Sequence, residues 1–407
     1  MVILHEYPLS MVEHSGFHRF MGTAQPLFKI PSRNTLKSDI LQIYDYERGK
    51  LKGLLEKNKG RIALTTDMWT SHNQRKGFMA ITAHFVDNSW TLQSRIIRFI
   101  YIPCPHTSEM LADVMMECLH DWNIEHKLST LTVDNCSTNN AMIRILLEML
   151  SDVSLLLNGD MFHTHCSAHI LNLIVRDGLD VISDSIERIR SSVSYWTSLP
   201  KREEKKLRLD AINDWSTSTF EQIKLMASSM AHKFDSYWSN FHGIMVVATI
   251  LEPRYKMKVM ECYFPSLYED GSSYEINKIQ EVLLRMVGEY EQKSKASQAS
   301  SKLEYYLEEP VIPRVENFDI LTWWKVNASK YPTLHCIARD ILAIHVSTVA
   351  SESAFSTGGR FVSLHRSMLH PKTVEALMCA QSWLWSEFND SKLERKFEAS
   401  NFEEDDD

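Results

Sequence analysis

What this chain lacks narrows it before anything else does. No apolar run approaches the roughly 20 residues needed to cross a bilayer, so no membrane partner is predicted. The first residues, MVILHEYPLS, have no basic n-region and only three apolar residues between Met1 and His5, so no secretory signal is expected. The seven cysteines (Cys104, Cys118, Cys136, Cys166, Cys262, Cys336, Cys379) are scattered and form no CxxC pair. That pattern predicts reduced, buried thiols in an intracellular protein and excludes a disulfide frame. Positive charge is not in excess either. A net charge of −8 gives no global field for nucleic acid, so any DNA contact must come from a local patch. There is no internal repeat.

What is present reads as a globular chain of two or three units, since 407 residues exceed what one core supports. Apolar residues at 44% and charged residues at 24% are ordinary for that class. Residues 34–60 read as a helix closed by Gly60. RIALTTD (61–67), GFMAITAHFV (77–86) and SWTLQSRIIRFI (89–100) read as strands, the last two joined by a hairpin. A helix at 107–122, a strand LSTLTVD at 128–134 and a helix at 137–151 follow. A short strand in MFHTHC then leads into a long helix ending at SVSYW. Three strands followed by βα crossovers predict an α/β fold, a ribonuclease-H-like mixed sheet flanked by helices. In such a core the first and fourth strands lie side by side. The expected divisions are a lead-in (1–60), the first part of the core (61–190), a helical insertion with a Ser/Lys-rich linker (191–302), a helical segment completing the core (303–388) and a disordered acidic tail (389–407).

Several residues admit two readings at this point. Asp134, closing LTVD, is either a cap of the next helix or a carboxylate at the carboxyl end of a central strand. Asp67 is a turn residue or its counterpart on the first strand. Glu352 is a first-turn helix acid, with Ser347, Thr348 or Ser351 as the cap, or a third member of the set. His163, His165, Cys166 and His169 stand together in HTHCSAHI, but no second ligand pair exists elsewhere, so no structural zinc is expected. Leu334, Ile337, Ala338, Ile341 and Leu342 share one helical face. Val374, Leu377, Met378, Leu384 and Trp385 share another, in a helix beginning at Pro371. With Trp323, Trp324 and Trp383 these stripes are either internal core or a subunit interface.

The blocks LTTDMWTSHNQRKGFMAITAHF, LTVDNCSTNN, CSAHILNLIVRDGL, LEPRYKMK and the long run from FDILTWWKV to AQSWL resemble the hAT (hobo/Activator) superfamily of DNA transposases. The likeness covers about residues 5–388 and is nearest to the plant, Ricesleeper-type domesticated branch. It implies a ribonuclease-H-like core with a helical insertion and an Asp-Asp-Glu triad of Asp67, Asp134 and Glu352. In that triad Asp67 bridges two Mg²⁺ ions, and Asp134 and Glu352 hold one each. Such ions stabilise the attacking and leaving oxygens of a displacement at phosphorus, and Mg²⁺ prefers a few hard carboxylate ligands. The resemblance also implies DNA contacts through Cys166 and His169, a C-x-x-H element, and through Trp215. It implies a homodimer or higher oligomer formed through Trp323, Trp324, Leu334, Ile337, Ile341, Leu342, Leu377 and Trp383, and a nuclear location.

The chain also departs from that pattern. Members of the branch carry a BED zinc finger, whose ligands are missing from the HEYPLSMVEHSGFHRF lead-in. The insertion is short, Asp214 stands where an Arg precedes Trp215, Glu252 replaces an Asp, and His345 replaces a Pro. An acid beside DNA repels phosphate. The expectation is a transposase-derived nuclear protein that dimerises and binds DNA without mobilising it. The alternatives are an active Mg²⁺-dependent transposase or nuclease, and a protein-interaction module without DNA. No small-molecule substrate is expected.

Overall fold

Strand β1 (Ile62–Thr70) pairs antiparallel with β2 (Gly77–Val86), and β2 with β3 (Leu92–Ile102). β4 (Leu128–Val133) then joins the other side of β1 in parallel, and β5 (His163–His165) joins β4, giving the order β3-β2-β1-β4-β5. The computed structural model describes residues 1–71, 75–150, 155–181, 220–238, 242–268, 271–294, 299–362 and 369–403. β2 is buried along its whole length, as a near-continuous apolar run covered on both faces requires. β3 alternates buried with more exposed positions, as a strand with one solvated face does.

Fifteen α-helices are named along the described residues. Three precede the sheet: α1 (Val2–His5), α2 (Ser15–Ala24) and α3 (Arg33–Lys57). The crossovers use α4 (Ser108–Trp122), α5 (Ser137–Met149) and α6 (Ser167–Asp180). Thr107 caps α4 by accepting the Met110 N–H at 3.3 Å. The middle of the chain is helical: α7 (Glu221–Trp238), α8 (His242–Ile250), α9 (Lys258–Tyr268), α10 (Ser272–Ser294) and α11 (Ala299–Glu308). α12 (Ile320–Val326), α13 (Pro332–Ile341), α14 (Val349–Phe361) and α15 (Pro371–Glu403) follow.

Two large cores result. One packs α3, α4, α5, α14 and α15 around the sheet. The other packs α8 to α13 together with Val86, Trp90, Leu156 and Leu157. They are joined at Asp340, which accepts the Arg61 N–H at 2.7 Å and the Tyr290 hydroxyl, and at Arg339, which donates to the Val86 carbonyl at 3.1 Å.

Several expectations change. Gly60 is not a helix cap, since α3 ends at Lys57 with Asn58 in extended conformation. A Cβ on Gly60 would fall 2.8 Å from Asp340 Oδ1, so close approach to that buried carboxylate is what requires glycine. β1 runs three residues past Asp67 because Met68 to Thr70 continue the ladder with β2. The 292–302 stretch is helical where described, up to Ser294 and from Ala299. Of the expected tail, residues 389–403 are the end of α15, and 404–407 lie outside the described residues. All seven cysteines are free, yet only Cys118, Cys166 and Cys379 are buried. No helix among the described residues is long and apolar enough to cross a membrane.

The interface residues change most. Trp324, Leu334, Ile337 and Ile341 are buried in the second core, against which Trp323 and Leu342 pack. Leu377 and Trp383 belong to the first, where Trp383 stacks on Tyr44 at 5.4 Å and donates its indole N–H to the Ile96 carbonyl at 2.8 Å. The stripes are therefore internal, because sheet and helices of the same chain cover them. Of the expected contact residues only Trp323 and Leu342, which are partly buried, keep exposed surface for a second copy. Accordingly, Ile337→Ala should lower the stability of the chain by about 2–5 kcal/mol while leaving its oligomeric mass unchanged. Chemical denaturation and light scattering check this, and dissociation without loss of stability would contradict it.

Candidate acid corner

The parallel register of β1 on β4 pairs Leu64 with Leu131 and Thr65 with Thr132. Two residues further on, Asp67 comes abreast of Asp134, the first residue beyond β4. Strand alternation places Thr65 and Asp67 on one face with Thr132 and Asp134. α14 lies across this face. Ser351 Oγ is 3.0 Å from Thr65 Oγ1 and 3.4 Å from Thr82 Oγ1, and Trp69 stacks on Phe355 at 5.8 Å. One side of the helix, Ser351, Phe355 and Gly358, thus faces the sheet. At Gly358 a Cβ would lie 2.8 Å from the Phe99 ring, so the helix could not sit this close with a larger residue. Glu352, beside Ser351, is exposed at the rim.

The three acids share an electrostatic environment. The Asp67 carboxyl is pushed up to about 7, mainly by burial; the Met68 N–H opposes this, and the charges of Asp134 and Glu352 add to it. Each carboxylate also has a partner of its own. Asp67 Oδ1 accepts the Met68 N–H at 2.7 Å, Asp134 Oδ1 accepts the Asn139 amide, and Glu352 Oε1 accepts the Thr348 hydroxyl at 2.8 Å. Among the described residues no three His, Cys, Asp or Glu side chains are gathered closely enough to hold a metal ion. Field and geometry therefore differ: the acids sense one another at a distance but do not close into a ligand cage. The donors are hard carboxylate oxygens, the chemistry that suits Mg²⁺.

Cys166 is fully buried, so it does not face a ligand. Its sulfur accepts the N–H of Thr348 at 3.3 Å, and its S–H donates to the Thr348 hydroxyl oxygen at 3.3 Å, leaving the hydroxyl proton for Glu352. The backbone N–H of Cys166 donates to Val133 at 2.8 Å, while Ser167 donates N–H and hydroxyl to Val346. The start of α6 thus clamps the loop entering α14, and Cys166 acts on Glu352 through Thr348. His169 is half-buried in the first turn of α6, and Trp215 lies outside the described residues. Thr348 is the N-cap residue of α14, but its hydroxyl serves Glu352 instead of a backbone N–H.

Sequence reading missed the polar layer beneath the acids. Thr65 Oγ1 lies 3.0 Å from Nε2 of the buried His84, whose ring stacks on His345 at 3.7 Å. Burial, then the neighbouring His345, holds His84 well below the usual histidine range. Thr132 donates its hydroxyl to the His345 carbonyl at 2.7 Å. The available signal was Thr65 and Thr132 facing inward in otherwise apolar strands, together with His84.

Because Asp67 ionises with difficulty, its pH effect has a definite sign. The folded chain holds a proton that the unfolded chain has released, so its contribution to stability falls as pH rises from about 4 to about 7. Asp67→Asn should therefore stabilise the metal-free protein at pH 8, by about 1–3 kcal/mol once solvent screening is allowed for. The difference should shrink towards pH 5. Denaturation of both proteins across this range measures it, and a gap independent of pH would refute the coupling.

Comparison with known proteins agrees along the chain. Residues 65–161 match the ZBED1 RNase-like domain and residues 164–236 its RNase-like helical domain. Residues 207–290 match the hAT-like transposase of RNase-H fold, and residues 302–384 the hAT family C-terminal dimerisation region. A Zea mays protein named for the AC transposase is 30% identical over 94% of this chain, which spans 64% of that protein's length. RICESLEEPER 2 of Oryza sativa subsp. japonica is 28% identical over 94% of this chain and 73% of its own length. DAYSLEEPER of Arabidopsis thaliana, a zinc finger BED domain-containing protein like RICESLEEPER 2, is 27% identical over 94% and 72%. Over this sheet order the chain thus carries, in sequence, a region similar to the hAT-like RNase-H fold and a hAT-type dimerisation region.

Proposed function

We propose that this chain acts as a transposase-derived nuclear protein that self-associates and binds DNA, with its acid corner kept as a fold element and not as a strand-transfer machine. The observation that carries this reading is the acid corner itself. Asp67, Asp134 and Glu352 lie within one field, yet each is engaged by its own donor and no cage is closed. Self-association follows from the C-terminal region, with contact surfaces other than the buried stripes. With a net charge of −8, DNA attraction must be local.

An active Mg²⁺-dependent transposase or nuclease is the second reading, favoured by the mutual field of the three acids. Asp67, Asp134 and Glu352 would then be the residues that hold the metal. Bound ions would supply charge stabilisation to the attacking and leaving oxygens at phosphorus. The protein's own contribution is positional. The β1–β4 register sets the two aspartates abreast, and Thr348 fixes Glu352.

Two measurements test these readings. Light scattering should show two or more copies per particle at micromolar concentration, and DNA affinity should fall steeply with salt as phosphate contacts release counterions. A monomer whose weak DNA binding is insensitive to salt would leave only an interaction module. Incubation with terminal-inverted-repeat DNA and Mg²⁺ or Mn²⁺ should give no strand cleavage. Cleavage abolished by Asp134→Ala would install the second reading instead.

A further inference from the structure

A second candidate site lies on the outer strand, separate from the acids. The pairing of Leu131 with His163 and Val133 with His165 puts the two histidines on one face of β5, on the opposite side from Thr132 and Asp134. Their rings lie 4.1 Å apart at 60°. His163 Nε2 and His165 Nδ1 are both buried, and neither has a hydrogen-bond partner. Buried polar atoms are seldom left so, because each forfeits its hydration without compensation.

Both side chains line a cavity of about 100 Å³, shared with Asp160, Met161, Gly243 and Met245. A Cβ on Gly243 would fall 2.1 Å from the Met161 Cε, so the thioether side chain folds over the start of α8. Asp160 is exposed and ion-paired with Arg285 at 2.6 Å. That pair leaves little positive charge to attract an anion. What the cavity offers is two imidazole nitrogens beside a soft sulfur, and imidazole suits zinc, copper and nickel, not magnesium.

We propose that His163 and His165 form an open binding site for a borderline transition-metal ion such as Zn²⁺, with solvent in the cavity completing its coordination. A closed structural zinc site takes four protein ligands. Among the described residues no third His, Cys, Asp or Glu completes this set, which is why the site is open and its affinity moderate.

The test titrates the purified chain with Zn²⁺ alone against a chromogenic chelator, and with Co²⁺ followed by its visible absorption. One equivalent should bind, and His163→Ala with His165→Ala should weaken that binding by about tenfold or more. Asp67→Asn with Asp134→Asn should leave it unchanged. Since the chain has 17 histidines, a second readout fixes the location. In the unaltered protein, Zn²⁺ should shift the ring ¹⁵N resonances of His163 and His165 in one-to-one proportion. Uptake that survives loss of both histidines, uptake that depends on the aspartates, or unmoved ring resonances would each overturn the assignment and leave a water-filled cavity.

Discussion

The hydroxyl contact between Thr65 and Ser351 holds the functional corner together. It joins residues 286 positions apart, and it is buried between the first strand and α14. Buried hydroxyls are costly unless paired, so Thr65, Thr82, His84 and Ser351 hold one another in a narrow range of helix positions. Glu352 takes its place from that constraint, since it follows Ser351 on the same turn. Phe355 against Trp69 and Gly358 against Phe99 extend the docking along the helix with apolar contact.

A second constraint acts at the N-cap of α14. Thr348 is gripped by the Cys166 sulfur and in turn grips Glu352. The C-x-x-H stretch therefore reaches the acid corner from beneath, through a buried thiol. This also explains why a cysteine fits at position 166. A small, polarisable side chain fills the buried junction of β5 and α6 and still accepts one hydrogen bond and donates another.

The two cores divide the labour. The sheet core fixes the aspartates through strand register, and the helical core abuts it at Asp340 and Arg339. Trp324, Leu334 and Ile337 stabilise this second body, whose α13 leads through residues 342–348 into α14. Their burial matters to the corner indirectly, by setting where the chain re-enters the sheet.

Much of the molecule was legible in its residues alone. Strand and helix periodicity located β2, α4, β4 and α5 closely, because each is a long run whose buried face dictates one pattern. The quoted motifs marked Asp67, Asp134 and Glu352 through family likeness. What those motifs could not reveal was who touches whom. The apolar stripes at Leu334–Leu342 and around Leu377 have the same pattern whether a second copy or the same chain covers them, and only tertiary packing chose the latter. Gly60 looked like a cap because local sequence cannot show a carboxylate 280 residues away. The Thr65–Ser351 contact, the Cys166–Thr348 clamp and the paired rings of His163 and His165 likewise join groups whose chemistry is ordinary in isolation. Sequence determined the elements and the acids, because these depend on local periodicity and residue type. The tertiary structure decided what covers the apolar stripes, the clamp and the state of the corner, because these depend on which distant side chains compete for the same buried space.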